Sequence, residues 1–200
     1  MISIIDYGLG NVQAFVNVYG RLNIKAQIAD TPAALAASTK LILPGVGAFD
    51  HAMERFRASG MQETVETMVL RDRLPVLGIC VGMQMLASSS EEGDLVGLGW
   101  LRGRVFRFKQ PNLKLPHMGW NDVRPSSPNP LFADLEREPR FYFLHSYCFN
   151  CDDPADVLAL TDYGGRFTCA VHHANIYGVQ FHPEKSHRFG VQLLKNFAEL

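Results

Sequence analysis

Cysteine is scarce in this chain: four residues in 200, at positions 80, 148, 151 and 169. So few do not suggest the disulfide framework of a small secreted protein. An excess of one charge is missing too. Lysine and arginine total 19 against 20 aspartates and glutamates, a formal net charge of -1 at pH 7. That balance gives no electrostatic case for a nucleic-acid or membrane partner. No run approaches the roughly 20 apolar residues of a membrane span. The opening MISIIDYGLGN lacks the basic flank, long apolar region and small-residue cleavage site of a signal peptide. Internal repeats and low-complexity linkers are absent as well. The expectation is a cytoplasmic protein. Its 47% apolar content and 200 residues suit one domain with a full core, expected to run from 1 to 200.

What is present first is alternation. Ile2 to Ile5, Ile24 to Ile28 and Leu41 to Leu43 read as strands, as does the run before Cys80. Helical patterns fall between them at Asn11 to Tyr19, Phe49 to Arg57 and Met61 to Leu70, with Asn11 as the first N-cap. Thr31-Pro32 looks like the start of a short Ala-rich helix. This order implies βαβ units and a parallel sheet, covered on both sides because its strands have no polar face. After Leu86 the segments are shorter: Arg104 to Lys109, Phe141 to Leu144, Val157 to Thr161, Thr168 to Val171 and Ile176 to Phe181. They suggest antiparallel or mixed strands. Phe189 to Leu200 closes the chain as an amphipathic helix. Asp6-Tyr7-Gly8, Pro44-Gly45-Val46-Gly47 and Cys80 each follow a parallel-strand candidate. Ligands of open α/β sheets bind at that edge.

The most informative segment is Leu74 to Leu86, LPVLGICVGMQML. An apolar run ends at Cys80 between Gly78 and Gly82, and a helix-compatible stretch follows. Gly-x-Cys-x-Gly is the thiol counterpart of the Gly-x-Ser-x-Gly nucleophile elbow. A thiolate at a helix N-terminus gains from the dipole and free N–H groups. It still needs a base. Far downstream, GVQFHPEKS places His182 and Glu184 in alternation at the end of a strand. An apolar-flanked cysteine is more often a buried packing residue. The paired glycines and the His-x-Glu reverse that preference here.

These residues, together with DYGLGN (6–11), LPGVGAFD (43–50), LPHMGWN (115–121) and FYFLHSY (141–147), resemble the class I, triad-type glutamine amidotransferases. Within that family the segments are most similar to glutaminase subunits of imidazole glycerol phosphate synthases, and the resemblance covers essentially the whole chain. It implies a flavodoxin-like α/β domain with a central, mostly parallel sheet flanked by helices. It implies Cys80 as nucleophile, His182 as base and then acid, and Glu184 as the group that orients His182. The backbone N–H groups of Val81 and, after a peptide flip, Val46 would form the oxyanion hole. Gly45, Gly47, Gln84, His145, Ser146 and Tyr147 would bind the substrate, L-glutamine. No cofactor and no metal is implied. The partner would be a separate (β/α)8 cyclase subunit in a heterodimer, since 200 residues cannot also hold a barrel of about 250. Val rather than Leu follows the nucleophile, Gln13-Ala14 stand where Ser is usual, and EKSHRFG departs from the common tail. These departures suggest a divergent or second-copy member. A paralogue feeding another synthase, such as one for sugar or surface-polysaccharide modification, and a stand-alone cysteine hydrolase are therefore the alternatives.

Other patterns carry less. Cys148-x-x-Cys151 followed by Cys169-x-x-His172 has zinc-like spacing. It falls in strand-like segments, however, where residues three apart point to opposite faces. DYGLGN lacks the full dinucleotide fingerprint and reads as a turn at the strand edge. Trp120 suits either a core or a partner interface. Arg102, Arg104, Arg107 and Lys109 read as a solvated strand face, and His117 and His145 receive no proton chemistry.

Overall fold

The computed structural model describes residues 1–135 and 139–200. The first part contains β1 (Ile2–Ile5), α1 (Val12–Arg21), β2 (Ala26–Ala29), β3 (Lys40–Gly45), α2 (Phe49–Ala58), α3 (Gln62–Glu66), β4 (Val76–Cys80) and α4 (Val81–Met85). Then come β5 (Ser89–Ser90), β6 (Gly103–Arg107), β7 (His117–Asp122), β8 (Arg124–Pro125), β9 (Arg140–His145), β10 (Tyr147–Cys151), β11 (Val157–Asp162), β12 (Arg166–His173), β13 (Ile176–Val179) and α5 (His187–Glu199).

The central strands run β2-β1-β3-β4-β13, all parallel. Beyond β13 the sheet turns antiparallel through β12, β10 and β6. Strands β1 and β4 read ISII and VLGIC, and every residue in them is buried. A strand covered on both faces has no use for a polar side, hence the nearly unbroken apolar runs; buried Ser3 is the exception and accepts from Gln27 Nε2 at 3.0 Å. Register sets Gly45 of β3 beside Cys80 of β4. Val179 of β13 pairs with Ile79 on the other flank. The carboxyl ends of β3, β4 and β13 therefore meet at one edge. A separate antiparallel pair, β7 with β9, runs from His117 opposite His145 to Asp122 opposite Arg140. It is tied to the same edge where the His182 N–H donates to the Tyr142 carbonyl at 2.8 Å.

Helix α1 starts as expected: Asn11 accepts from the Ala14 N–H at 3.2 Å. Three elements differ from the sequence expectation. Strand β2 begins at Ala26, not Ile24, because Asn23 takes φ +56° and the Ile24 N–H closes back on Tyr19 O at 2.9 Å. The Ala-rich helix is only a 3₁₀ turn, Ala33–Leu35, and Gln27 Nε2 takes the Ala34 carbonyl at 2.7 Å. The helix expected over Met61 to Leu70 widens after Glu66 into a π turn, Thr67–Arg71, where the Asp72 N–H reaches back to Thr67 O at 3.0 Å. Among the described residues, no helix is long and apolar enough to cross a membrane.

Candidate active site

Cys80 sits at the junction of β4 and α4 with φ +55° and ψ -111°. A non-glycine residue in that region is strained and persists only where its surroundings enforce it. Here they do. The turn is pressed so tightly against β3 that a Cβ on Gly82 would collide with the Leu43 carbonyl oxygen. One on Gly45 would stand 2.5 Å from the Gly82 nitrogen. Only glycine permits this approach, and the approach lifts the thiol toward the sheet edge. Val81 is the first residue of α4, so its N–H has no intrahelical acceptor.

His182 follows β13 and is buried, with Nδ1 2.9 Å from Glu184 Oε1. Its backbone carbonyl is held through Ser186. The Ser186 hydroxyl donates to the His182 carbonyl at 2.6 Å and accepts from the Tyr142 N–H at 3.0 Å. Burial disfavours charge on the imidazole, but hydrogen bonding to Cys80 and Glu184 and their negative charge outweigh it. The net effect raises His182 to about 9. At neutral pH the ring therefore carries a proton.

These groups line a cavity of about 250 Å³ with Val46, Gly47, Val81, Gln84, Glu92, Pro116, Leu144, His145, Ser146, Tyr147 and Lys185. Its volume lies below the ~300–1,000 Å³ usual for drug-sized ligands and suits an amino acid. Larger depressions of about 650, 610 and 700 Å³ are not lined by a cysteine, although the last touches Glu184 from the α1 side.

The structure thus gathers nine of the residues singled out from sequence around one cavity: Val46, Gly47, Cys80, Val81, Gln84, His145, Ser146, Tyr147 and His182. Glu184 stands behind His182, and Gly45 backs the wall without lining it. Conformational freedom around Val46 is one-sided. Gly47 has φ +87° and open space around it, whereas Gly45 is pinned by the α4 turn. The ring nitrogens of His145 are both engaged, Nδ1 with Tyr147 O at 2.7 Å and Nε2 with His117 Nδ1 at 3.0 Å. Burial pushes both rings down, His117 to about 4 and His145 to about 3, so the pair is neutral.

Sequence reading passed over Glu92, whose Oε2 accepts from the Phe49 N–H at 2.9 Å at the start of α2. It also passed over Gln180, fully buried beside Cys80. The DYGLGN turn supports the site from behind. Its Tyr7 hydroxyl donates to the Pro44 carbonyl at 2.6 Å. Trp120 is not a core residue: it is 41% exposed and stacks on His187 with ring centroids 5.2 Å apart. Cys148, Cys151 and Cys169 carry no disulfide, and burial pushes Cys148 up to about 11 and Cys151 to about 12. Among the described residues, no group of three or more His, Cys, Asp or Glu side chains is placed to hold a metal ion.

A thiol on a strained strand-to-helix turn is thus faced by a carboxylate-bound histidine at the edge of a parallel α/β sheet. The chain belongs to the class-I glutamine amidotransferase family, whose model matches residues 3–200. It is 60% identical to the imidazole glycerol phosphate synthase subunit HisH of Bdellovibrio bacteriovorus, with 100% of both chains covered. It is 53% identical to the subunit of that name from Leptospira interrogans, again over 100% of both chains. Subunit HisH 2 of Pseudomonas aeruginosa is 47% identical over 100% of both chains. A solved glutamine amidotransferase shares the fold with a TM-score of 0.72 at 20% identity, covering 97% of this chain and 98% of that one. PurLQS from Thermotoga maritima matches at 0.74 and 16% identity, covering 99% and 97%.

Proposed function

We propose that this chain is the glutaminase subunit of an imidazole glycerol phosphate synthase. It hydrolyses L-glutamine to glutamate and ammonia and delivers the ammonia to a separate cyclase subunit for histidine biosynthesis. Residues 1–200 act as one amidotransferase domain, in the cytoplasm, in a heterodimer with a (β/α)8 partner. The observation that carries this reading is Cys80 at φ +55° facing a His182 bonded to Glu184 at 2.9 Å. Full-length similarity to the named subunits supports the pathway.

In this reading Sγ attacks the carboxamide carbon of glutamine, and the carbonyl oxygen becomes an oxyanion. The Val81 N–H donates to it, and the Val46 N–H joins once the Gly45–Val46 peptide turns. Protonated His182 gives its proton to the departing nitrogen, releasing ammonia and leaving a glutamyl thioester on Cys80. Neutral His182 then takes a proton from water. The hydroxide adds to the thioester carbon, the thiolate leaves, and glutamate is freed. Glu184 holds the ring through both halves. Val46, Met118, Trp120 and Leu144 are exposed apolar side chains, and Val46 and Leu144 also line the cavity. They suit docking of the ammonia-accepting subunit.

The test is Cys80→Ala in the complex with the cyclase. Glutamine-dependent synthesis should fall by ~10⁴-fold or more, while synthesis from added ammonium salt persists. Retention of glutamine-dependent synthesis would refute the assignment of the nucleophile.

A further inference from the structure

Gln180 lies two residues before His182 and is fully buried, yet the triad has no use for it. Its Nε2 donates to Cys80 Sγ at 3.7 Å, an ordinary length for a bond to sulfur. Its Oε1 accepts from Gln84 Nε2 at 3.0 Å. The same Gln84 nitrogen donates to the Tyr147 carbonyl at 3.2 Å. Gln180's own backbone N–H is anchored on Cys169 O at 2.9 Å.

These contacts fix which way each amide points. A carbonyl oxygen only accepts, so Gln84 must offer its NH₂ to Tyr147. The other hydrogen of that NH₂ then faces Gln180, which must answer with its oxygen. The NH₂ of Gln180 is left aimed at the sulfur. Flipping Gln180 would set NH₂ against NH₂ and an oxygen against Sγ, leaving buried groups unpaired. The orientation is therefore set by a backbone carbonyl of the segment that lines the substrate cavity.

We propose that Gln180 is the hydrogen-bond donor that holds Cys80 as an aimed thiolate, and that Gln84 is the positioning residue that keeps it donating. The inference rests on Cys80 being the nucleophile. Besides His182, the sulfur's remaining neighbour is the Leu144 backbone carbonyl at 3.9 Å, which accepts and so favours the neutral thiol; a second donor offsets it. Bonds to ionised groups are the stronger ones.

The test is the pH profile of Cys80 alkylation by iodoacetamide in the full-length protein, read by peptide mass so that the other cysteines are separated. The charged and titratable groups around the sulfur are His182 with Glu184 after β13, Tyr7 after β1, His145 on β9, and Glu92 and Lys185 at the cavity. None of them is altered by the substitutions. In Gln180→Leu the profile should move to higher pH by about one to two units. Gln180→Glu, whose ionised carboxylate only accepts, should move it at least as far in the pH range where that carboxyl is charged. Gln84→Leu should move it less, and the double variant Gln84→Leu/Gln180→Leu no further than Gln180→Leu alone. In the complex, Gln180→Leu should lower kcat about 10- to 100-fold, with KM within a few-fold. Gln180→Met serves the same purpose if thermal melting shows that the leucine variant is unfolded. A wild-type alkylation profile in either apolar variant and in Gln180→Glu overturns the proposal. Full glutaminase activity in Cys80→Ala would instead remove the nucleophile itself, a separate failure from that of Gln180.

Discussion

At the scale of single residues, chemistry gathers on His182. Its folded pKa of about 9 lies above the ordinary 6.5. The sign follows from linkage: the folded state binds the proton more tightly, so this group adds stability at and below about pH 6.5. That contribution is lost as pH rises toward about 9. His182→Ala should therefore flatten the fall in stability between pH 6.5 and 9, as read by urea denaturation at several pH values. The same variant should lose ~10³-fold or more in glutamine hydrolysis, since it removes the group proposed to protonate the leaving nitrogen. An unchanged slope together with wild-type turnover would contradict both assignments. The proposed triad stands out in the sequence because each member sits in a local pattern, Gly-x-Cys-x-Gly and His-x-Glu. Gln180 was not. Its partner Cys80 lies 100 positions away, and nothing beside Gln180 in the chain marks a donor to sulfur.

Among the elements, the decisive one is the junction of β4 and α4. Its position depends on glycine contacts across to β3 rather than on helix propensity, for α4 is only five residues long. Gly82→Ala should destabilise the fold by ~1–3 kcal/mol or more, because the new methyl meets the Leu43 carbonyl rather than a flexible side chain. Chemical denaturation measures the loss, and a change within about 0.5 kcal/mol would show that the turn can relax away from β3. The parallel half of the sheet was readable from its apolar runs. Helix ends were harder, since Asn23, Gln27 and Thr67 each act through hydrogen bonds that periodicity does not reveal. Glu92 was hidden for a related reason. In sequence it belongs to a polar loop, SSSEEG, and only the fold carries it to the first N–H of α2 and the cavity. The neutral pair His117–His145 links β7 to β9 through side chains 28 positions apart.

For the whole molecule, the proposed function puts catalysis and association at one end of the sheet. Met118 is 64% exposed and Trp120 41%, on the β7–β9 pair whose Leu144, His145 and neighbouring Ser146 reach the cavity. Trp120→Ala should weaken binding of the cyclase subunit about 30-fold or more, the usual effect of removing an aromatic anchor. Titration calorimetry would show it, and unchanged affinity would place the partner elsewhere. The central claim is that glutamine passes through a thioester on Cys80. Its most direct measurement is acid quenching of the working complex during glutamine turnover, followed by peptide mass analysis. The quenched complex should carry a glutamyl adduct on the peptide holding Cys80, removable by hydroxylamine and absent in Cys80→Ala. An adduct on Cys148, Cys151 or Cys169, or undiminished glutamate release by Cys80→Ala, would contradict that claim.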